Sequence, residues 1–270
     1  MTAPSELTVG PAWLFCPADR PERYAKAASA ADVIILDLED AVAPADKEAA
    51  RQALVDHPHD PASTVVRVNS ADSPEQALDL EALAETEYTH VMLAKTESGE
   101  QIAELAPRRV IALVETPRGA VAVREIAAQP ATAGLMWGAE DLVAGLGGSS
   151  SRTADGAYRP VAQQVRSTVL LAAKAFGKLA LDAVHLDIAD LDGQRAEALD
   201  AVSTGFDASA CIHPAQVAEV RAAYRPSDAE IDWSRRVLAA AEGQRGVFAF
   251  EGAMVDSPVL RHAEAVLRRA

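Results

Sequence analysis

Short apolar runs rich in β-branched residues recur along the chain, each followed by a polar, alanine-rich stretch of helical character. They occupy residues 13–16, 33–38, 64–68, 90–93, 110–114, 133–137, 179–184 and 207–212. The runs are continuous rather than alternating, as expected of strands buried on both faces. Alternation of strand and helix predicts a parallel sheet with right-handed crossovers. Eight such units predict an α/β fold of the (β/α)8 TIM-barrel kind. No G-x-G-x-x-G follows the first run, which disfavours a dinucleotide fold.

Between the strands, helix starts are marked by proline and by capping side chains. Pro21 is placed to open the first helix, and Ser73-Pro74 and Thr116-Pro117 carry a cap-then-proline signature. Residues 158–176 space Val161, Val165, Thr168, Ala172 and Phe176 along one helical face. Residues 214–224 predict the eighth barrel helix. Beyond it a helix is expected over 228–242, with Trp233, Val237 and Ala241 on one face, and a last helix near 259–269. Residues 1–225 are therefore read as the catalytic barrel. Residues 226–270 are read as a helical extension or lid that packs on the barrel, over its mouth or against a neighbouring subunit. Residues 147–152 are the most loop-like stretch. Cys16 and Cys211 end the first and last strands, which are neighbours in a closed barrel, so both are expected to be small core residues.

Composition fits this outline. The chain has 270 residues, 49% of them hydrophobic, and one barrel commonly takes about 250 residues. Its formal net charge is −15, from 40 acidic and 25 basic residues. That balance repels nucleic acid. No stretch approaches the roughly 18 apolar residues of a membrane helix. Two cysteines without zinc-type spacing, and no secretory signal, point to the cytoplasm.

Barrel chemistry sits at the C-terminal ends of the strands. The polar residues expected there are Asp37, Glu39, Asp40, Arg67, Asn69, Lys95, Glu97, Glu115, Glu140, Asp141, His185, Asp187 and His213. So many carboxylates around one rim repel one another unless a divalent cation joins them. Oxygen-only ligands favour Mg2+, Mn2+ or Ca2+ over zinc. Arg67 can grip a substrate carboxylate through paired hydrogen bonds. A small carboxylate or 2-oxo acid that also chelates the metal is the implied substrate. For any one of these acids a capping role is the plain alternative, Lys95 and Glu97 can pair with each other, and the histidines are expected to be structural.

Several segments sharpen this. FCPADRPERYAKA, ILDLEDAV, VRVN, ALVETPRGA, MWGAEDL, CIHPAQV and FEGAMVDSPV occur in order. Together they resemble the citrate lyase beta-subunit-like family, within the malyl-CoA and citramalyl-CoA lyase group. The resemblance implies a TIM barrel, usually trimeric, that cleaves or forms 3-hydroxyacyl-CoA thioesters with Mg2+. It makes Glu115 and Asp141 the metal ligands and Arg67 the catalytic and substrate-gripping cation. Glu39 and Asp40 would order water behind the metal. Glu115, Gly138 and Ala139 would line the substrate. Arg20 and Lys26 would approach the phosphates of coenzyme A, with Phe15, Ile212 and Pro214 along its pantetheine and adenine. Asp256 would reach a neighbouring subunit's site and shuttle the proton at the acetyl methyl carbon. The products would be an oxo acid or ketoacid and acetyl-CoA. An aldolase acting on free 2-oxo acids, a subunit acting on citryl-acyl-carrier protein, and a catalytically silent binding protein remain the alternatives.

Overall fold

The computed structural model describes residues 10–244 and 246–270. Parallel strands β1 (Ala12–Pro17), β2 (Val33–Asp37), β3 (Thr64–Val68), β4 (His90–Leu93), β5 (Arg109–Val114), β6 (Thr132–Trp137), β7 (Leu179–Asp182) and β8 (Ala208–Cys211) follow one another around a closed barrel. β8 pairs back onto β1, with Leu14 opposite Cys211. The eight apolar runs are these strands, with ends shifted by at most two residues. Cys16 and Cys211 are both buried, as expected.

The continuous hydrophobicity has a direct cause. Trp13, Ile35, Val65, Met92, Leu113 and Met136, from six successive strands, meet in a single cluster that can only be the barrel interior. Their strand neighbours Ile34, Leu36, Val66 and Ala112 point the other way and are also fully buried. Strands covered on both faces are mostly apolar until they reach the rim.

The connecting helices are α1 (Tyr24–Ala30), α2 (Lys47–Asp56), α3 (Glu75–Ala84), α4 (Gly99–Glu104), α5 (Pro117–Ala128), α6 (Ala139–Gly145), α7 (Pro160–Ala175), α8 (Leu191–Thr204) and α9 (Pro214–Tyr224). Pro21 opens a short 3-10 turn rather than α1 itself. Thr116 caps α5 by accepting from the Gly119 amide at 3.0 Å. On α7 the buried face is Ala162, Val165, Val169, Ala172 and Ala173. Val161 and Phe176, expected on that face, are exposed. Hydrophobic size misled here, because close helix–sheet packing selects alanines over the larger side chains beside them.

The chain divides into two units, and the boundary falls within α9, between Val220 and Arg221. The second unit holds α10 (Asp228–Ala241), the strands β9 (Phe248–Phe250) and β10 (Ala253–Val255), and α11 (Ser257–Arg268). Its small core is Val237, Val255 and Ala263, with Trp233 and Phe250 against it. The antiparallel β9–β10 pair was not expected from the sequence. It turns on Glu251 and Gly252, both at positive φ, a two-residue hairpin turn usually signalled by Asn-Gly or Asp-Gly.

One buried polar tie fixes the rim of the barrel. Asn69, just past β3, donates its backbone amide at 2.9 Å and its side-chain amide at 2.7 Å to Asp79 on α3. The same side chain donates to the Leu38 carbonyl at 3.0 Å and accepts from Lys47 at 2.9 Å. Asp79 is fully buried and also takes Arg51 at 3.2 Å. Asn69 thus joins the ends of β2 and β3 to two helices and has a structural role. Replacing Asp79 with Ala leaves two Asn69 amide donors short of their acceptor, while Arg51 keeps Glu75 at 2.7 Å, and is expected to cost about 2 kcal/mol in urea unfolding. A loss below about 1 kcal/mol contradicts this assignment.

Candidate active site

The site is built at the C-terminal ends of β2 to β6. Asp37 and Arg67 are register partners on β2 and β3, so their side chains emerge side by side. Arg67 donates Nε to Asp37 Oδ1 at 2.7 Å and Nη2 to Asp37 Oδ2 at 2.5 Å. Its Nη1 lies 3.0 Å from Glu39, and its guanidinium stacks 4.9 Å from the ring centre of Phe15 on β1. Three contacts from three nitrogens hold the fork rigid. A guanidinium has five N–H donors, so two remain for a substrate oxygen.

Lys95, two residues past β4, places its ammonium against Glu39, 3.4 Å from Asp40 and 3.5 Å from Asp141. Its backbone amide donates to Glu115 Oε1 at 3.0 Å. Glu115 follows directly on β5 and is only 4% exposed. Gly138 closes the other side. A Cβ there would sit 2.7 Å from Glu115 Oε2 and 2.9 Å from Glu115 Cβ, so only glycine lets β6 pass so near that carboxylate. Asp141 stands in the first turn of α6, where the helix dipole favours a negative charge.

The electrostatics follow from this crowding. The Glu115 carboxyl is pushed up to about 8, chiefly by burial and then by Asp141, with Arg67 opposing. Glu39 is also raised, again chiefly by burial, although Arg67 and Lys95 work against it. Arg67 and Lys95 are both held above their ordinary values; burial alone would lower them, but the acids around them outweigh it. The rim therefore carries more negative charge than its two cations settle.

That surplus suits a hard divalent ion. Among the described residues no group of three or more His, Cys, Asp or Glu side chains is disposed to hold a metal. Two carboxylates, with water and substrate oxygens filling the other positions, are what Mg2+ usually takes from a protein. Glu115 and Asp141 on consecutive strand ends fit that donor set.

The expected site residues separate into groups. Glu39, Asp40, Arg67, Glu115, Gly138 and Asp141 come together, with Ala139 buried at the start of α6. Phe15 joins them through Arg67. Ile212 and Pro214 lie just past β8, beside β1. Arg20 is largely exposed and lies 3.5 Å from Asp19, and Lys26 is exposed on α1. Asp256 belongs to the second unit and is the N-cap of α11, accepting from the Val259 amide at 3.4 Å. The Lys95–Glu97 pairing does not occur: Glu97 meets Arg118 at 3.5 Å instead.

Two contributors carried a weaker signal. Asp37 was visible only as a strand-end acid, and Lys95 only as a cation after a strand. On the β6–β7 side a further polar network backs the rim. The Trp137 indole donates to Asp182 at 2.6 Å, and Arg166 donates Nη2 to the same carboxylate at 2.7 Å. The 147–152 loop is tied down by Ser151, which donates to Glu140 at 2.5 Å, and by Arg152, 2.6 Å from Glu197. His185 lies 3.2 Å from Glu197 and 3.4 Å from Asp190. Neither of its ring nitrogens makes a well-directed hydrogen bond.

Known proteins resemble this chain in sequence and fold. The family model for HpcH/HpaI aldolase/citrate lyase matches residues 12–214. The citrate lyase subunit beta-like protein of Mycobacterium tuberculosis H37Rv is 68% identical, over 97% of this chain and 96% of its own. The (3S)-malyl-CoA thioesterase of Cereibacter sphaeroides ATH 2.4.9 is 36% identical, over 95% and 93%. The crystal structure of CitE from Mycobacterium tuberculosis, in complex with magnesium, acetoacetate and coenzyme A, superposes with a TM-score of 0.93 at 68% identity. It covers 97% of this chain and 98% of that one. No helix among the described residues is long and apolar enough to cross a membrane. The chain belongs to the HpcH/HpaI aldolase/citrate lyase family and is a Mg2+-dependent carbon–carbon lyase of its citrate lyase beta-like kind.

Proposed function

We propose that this lyase cleaves or forms a 3-hydroxyacyl-CoA thioester bearing a distal carboxylate, yielding an oxo acid or ketoacid and acetyl-CoA. The observation that carries this is the buried Glu115 beside Asp141, with the clamped Arg67 guanidinium on the same rim. The thioester comes from the relatives: one is a malyl-CoA thioesterase, and CitE binds coenzyme A together with acetoacetate and magnesium.

Glu115 and Asp141 would hold Mg2+, which would supply Lewis acidity toward substrate oxygens. Arg67 turns its two remaining N–H donors to the oxygen that gains charge as the carbon–carbon bond breaks. Asp37 and Glu39 keep that fork from turning, so no reorganisation is needed at the moment of reaction. The hydroxyl proton leaves toward Asp40, the exposed acid of the group. Glu39 is less free to take it, clamped between Arg67 and Lys95. The bonding electrons move onto the thioester α-carbon as an enolate, which takes a proton from Asp256 of a neighbouring copy. Such crossing makes the working enzyme a homo-oligomer, a trimer by likeness to the family, with residues 226–270 as its lid. The exposed Arg20 and Lys26 suit coenzyme A phosphates, with Phe15, Ile212 and Pro214 along the rest of that cofactor. A chain with only two cysteines, without zinc-type spacing, suits a cytoplasmic location.

Replacing Asp141 with Asn, or Glu115 with Gln, is expected to lower Mg2+-dependent release of oxo acid by about a hundredfold or more, with the circular dichroism spectrum unchanged. A panel of malyl-, citramalyl- and citryl-CoA, read by mass, is the measurement. Full activity in either variant, or in excess chelator, overturns the proposal. Replacing Asp256 with Asn should stop exchange of the acetyl-CoA methyl protons yet spare oxo-acid binding; unchanged exchange removes it from the chemistry.

The raised Glu115 carboxyl also sets a pH dependence for the metal-free protein. Between its ordinary 4.5 and its folded value of about 8, the native state holds a proton that the unfolded chain has lost. Stability then falls as pH rises through that window. Urea midpoints in chelator should decline across it, and less steeply in Glu115→Gln. An identical slope in the variant rules out this origin.

A further inference from the structure

Lys95 is set in an unusual backbone. Its φ is +50°, a conformation that strains a side-chain-bearing residue and that glycine takes freely. The chain on either side imposes it. The Ala94 amide donates to the Val68 carbonyl at 3.3 Å, and the Thr96 amide to the Leu113 carbonyl at 3.0 Å. Thr96 is fully buried. Its carbonyl lies 2.2 Å from where a Cβ on Gly119 would be, so α5 presses directly on this turn. Held between these anchors, the Lys95 amide points at Glu115 Oε1, 3.0 Å away.

Only the amide is needed for that contact, and glycine would supply it without strain. The position carries a lysine, whose ammonium reaches Glu39, Asp40 and Asp141. Those are acids from two separate connections, after β2 and after β6. Among the described residues the other cation ion-paired within this group, Arg67, spends its contacts on Asp37 and Glu39. Asp141 has Lys95 alone among its ion-pair partners on the described residues.

We propose that the Lys95 ammonium is a resident counter-cation of the metal site. It neutralises Asp141 and the acids after β2 while the site lacks its metal, and gives up Asp141 when a divalent ion binds. Lys95 is thus a positioning residue that sets metal affinity. Its amide holds one ligand in place, and its charge opposes the incoming cation at the other. The opposition limits affinity, and the neutralisation keeps the acids from forcing the mouth apart. This rests on the assignment of Glu115 and Asp141 as metal ligands.

The test is Mg2+ binding by titration calorimetry to Lys95→Met, Lys95→Arg, Asp141→Asn and the parent protein, without substrate. Lys95→Met keeps the stem and the amide but loses the charge. It should bind Mg2+ about fivefold or more tightly at low salt, and the gain should shrink as salt screens the lost repulsion. Lys95→Arg should stay near the parent. Mg2+ should also raise the melting temperature of Lys95→Met by more than that of the parent, since the added stability follows affinity. Unchanged or weaker binding in a folded Lys95→Met overturns the inference. If that variant does not fold, Lys95→Gly, which removes the charge and the strain together, gives the same comparison. Asp141→Asn separates the two levels: if it binds Mg2+ as the parent does, the metal site itself is misplaced. If it loses binding while both charge-removing variants match the parent, only the role of Lys95 fails.

Discussion

Everything at the barrel mouth depends on keeping a buried carboxylate, Glu115, beside a second one, Asp141, without letting the negative charge disperse into water. Burial raises the Glu115 carboxyl, and Asp141 raises it further. Such an arrangement survives only because the surroundings over-determine it. The Lys95 amide fixes one oxygen, Gly138 leaves room for the other, and two cations sit within the cluster. Surplus acidity of this kind suits a hard cation.

The rest of the architecture serves to hold that arrangement still. Asp37 grips Arg67 in a bidentate pair set by strand register, and Glu39 takes the third nitrogen. Behind them, Asn69 and Asp79 tie the ends of β2 and β3 to their helices. On the far side, Trp137, Asp182 and Arg166 do the same for β6 and β7. Buried polar networks of this kind are costly when incomplete and rigid when satisfied. They cluster at the rim because the cluster that fills the barrel interior below is apolar, so charged side chains gather where the strands end.

The fold was largely legible along the chain. Eight unbroken apolar runs could only be strands covered on both sides, and their number chose closure over an open sheet. Less regular features escaped. The buried face of α7 runs through alanines that a search for large apolar residues passes over. The β9–β10 hairpin turns on Glu251-Gly252, a pair that does not announce a turn as Asn-Gly would. The site was legible as a set of residue types at strand ends, and Glu39, Arg67, Glu115 and Asp141 do converge.

What the sequence determined by itself was the barrel, the acidic rim and its one guanidinium, because period and position along a strand are local properties. What only the tertiary structure decided was who pairs with whom. Lys95 passes over its near neighbour Glu97 to meet acids from two other connections. Asn69 turns from a polar residue of the rim to a structural tie, and Asp37 becomes the partner of Arg67. Side chains meet across a closed barrel by strand register and by the curvature of the sheet, and neither is written into the distance between residues along the chain.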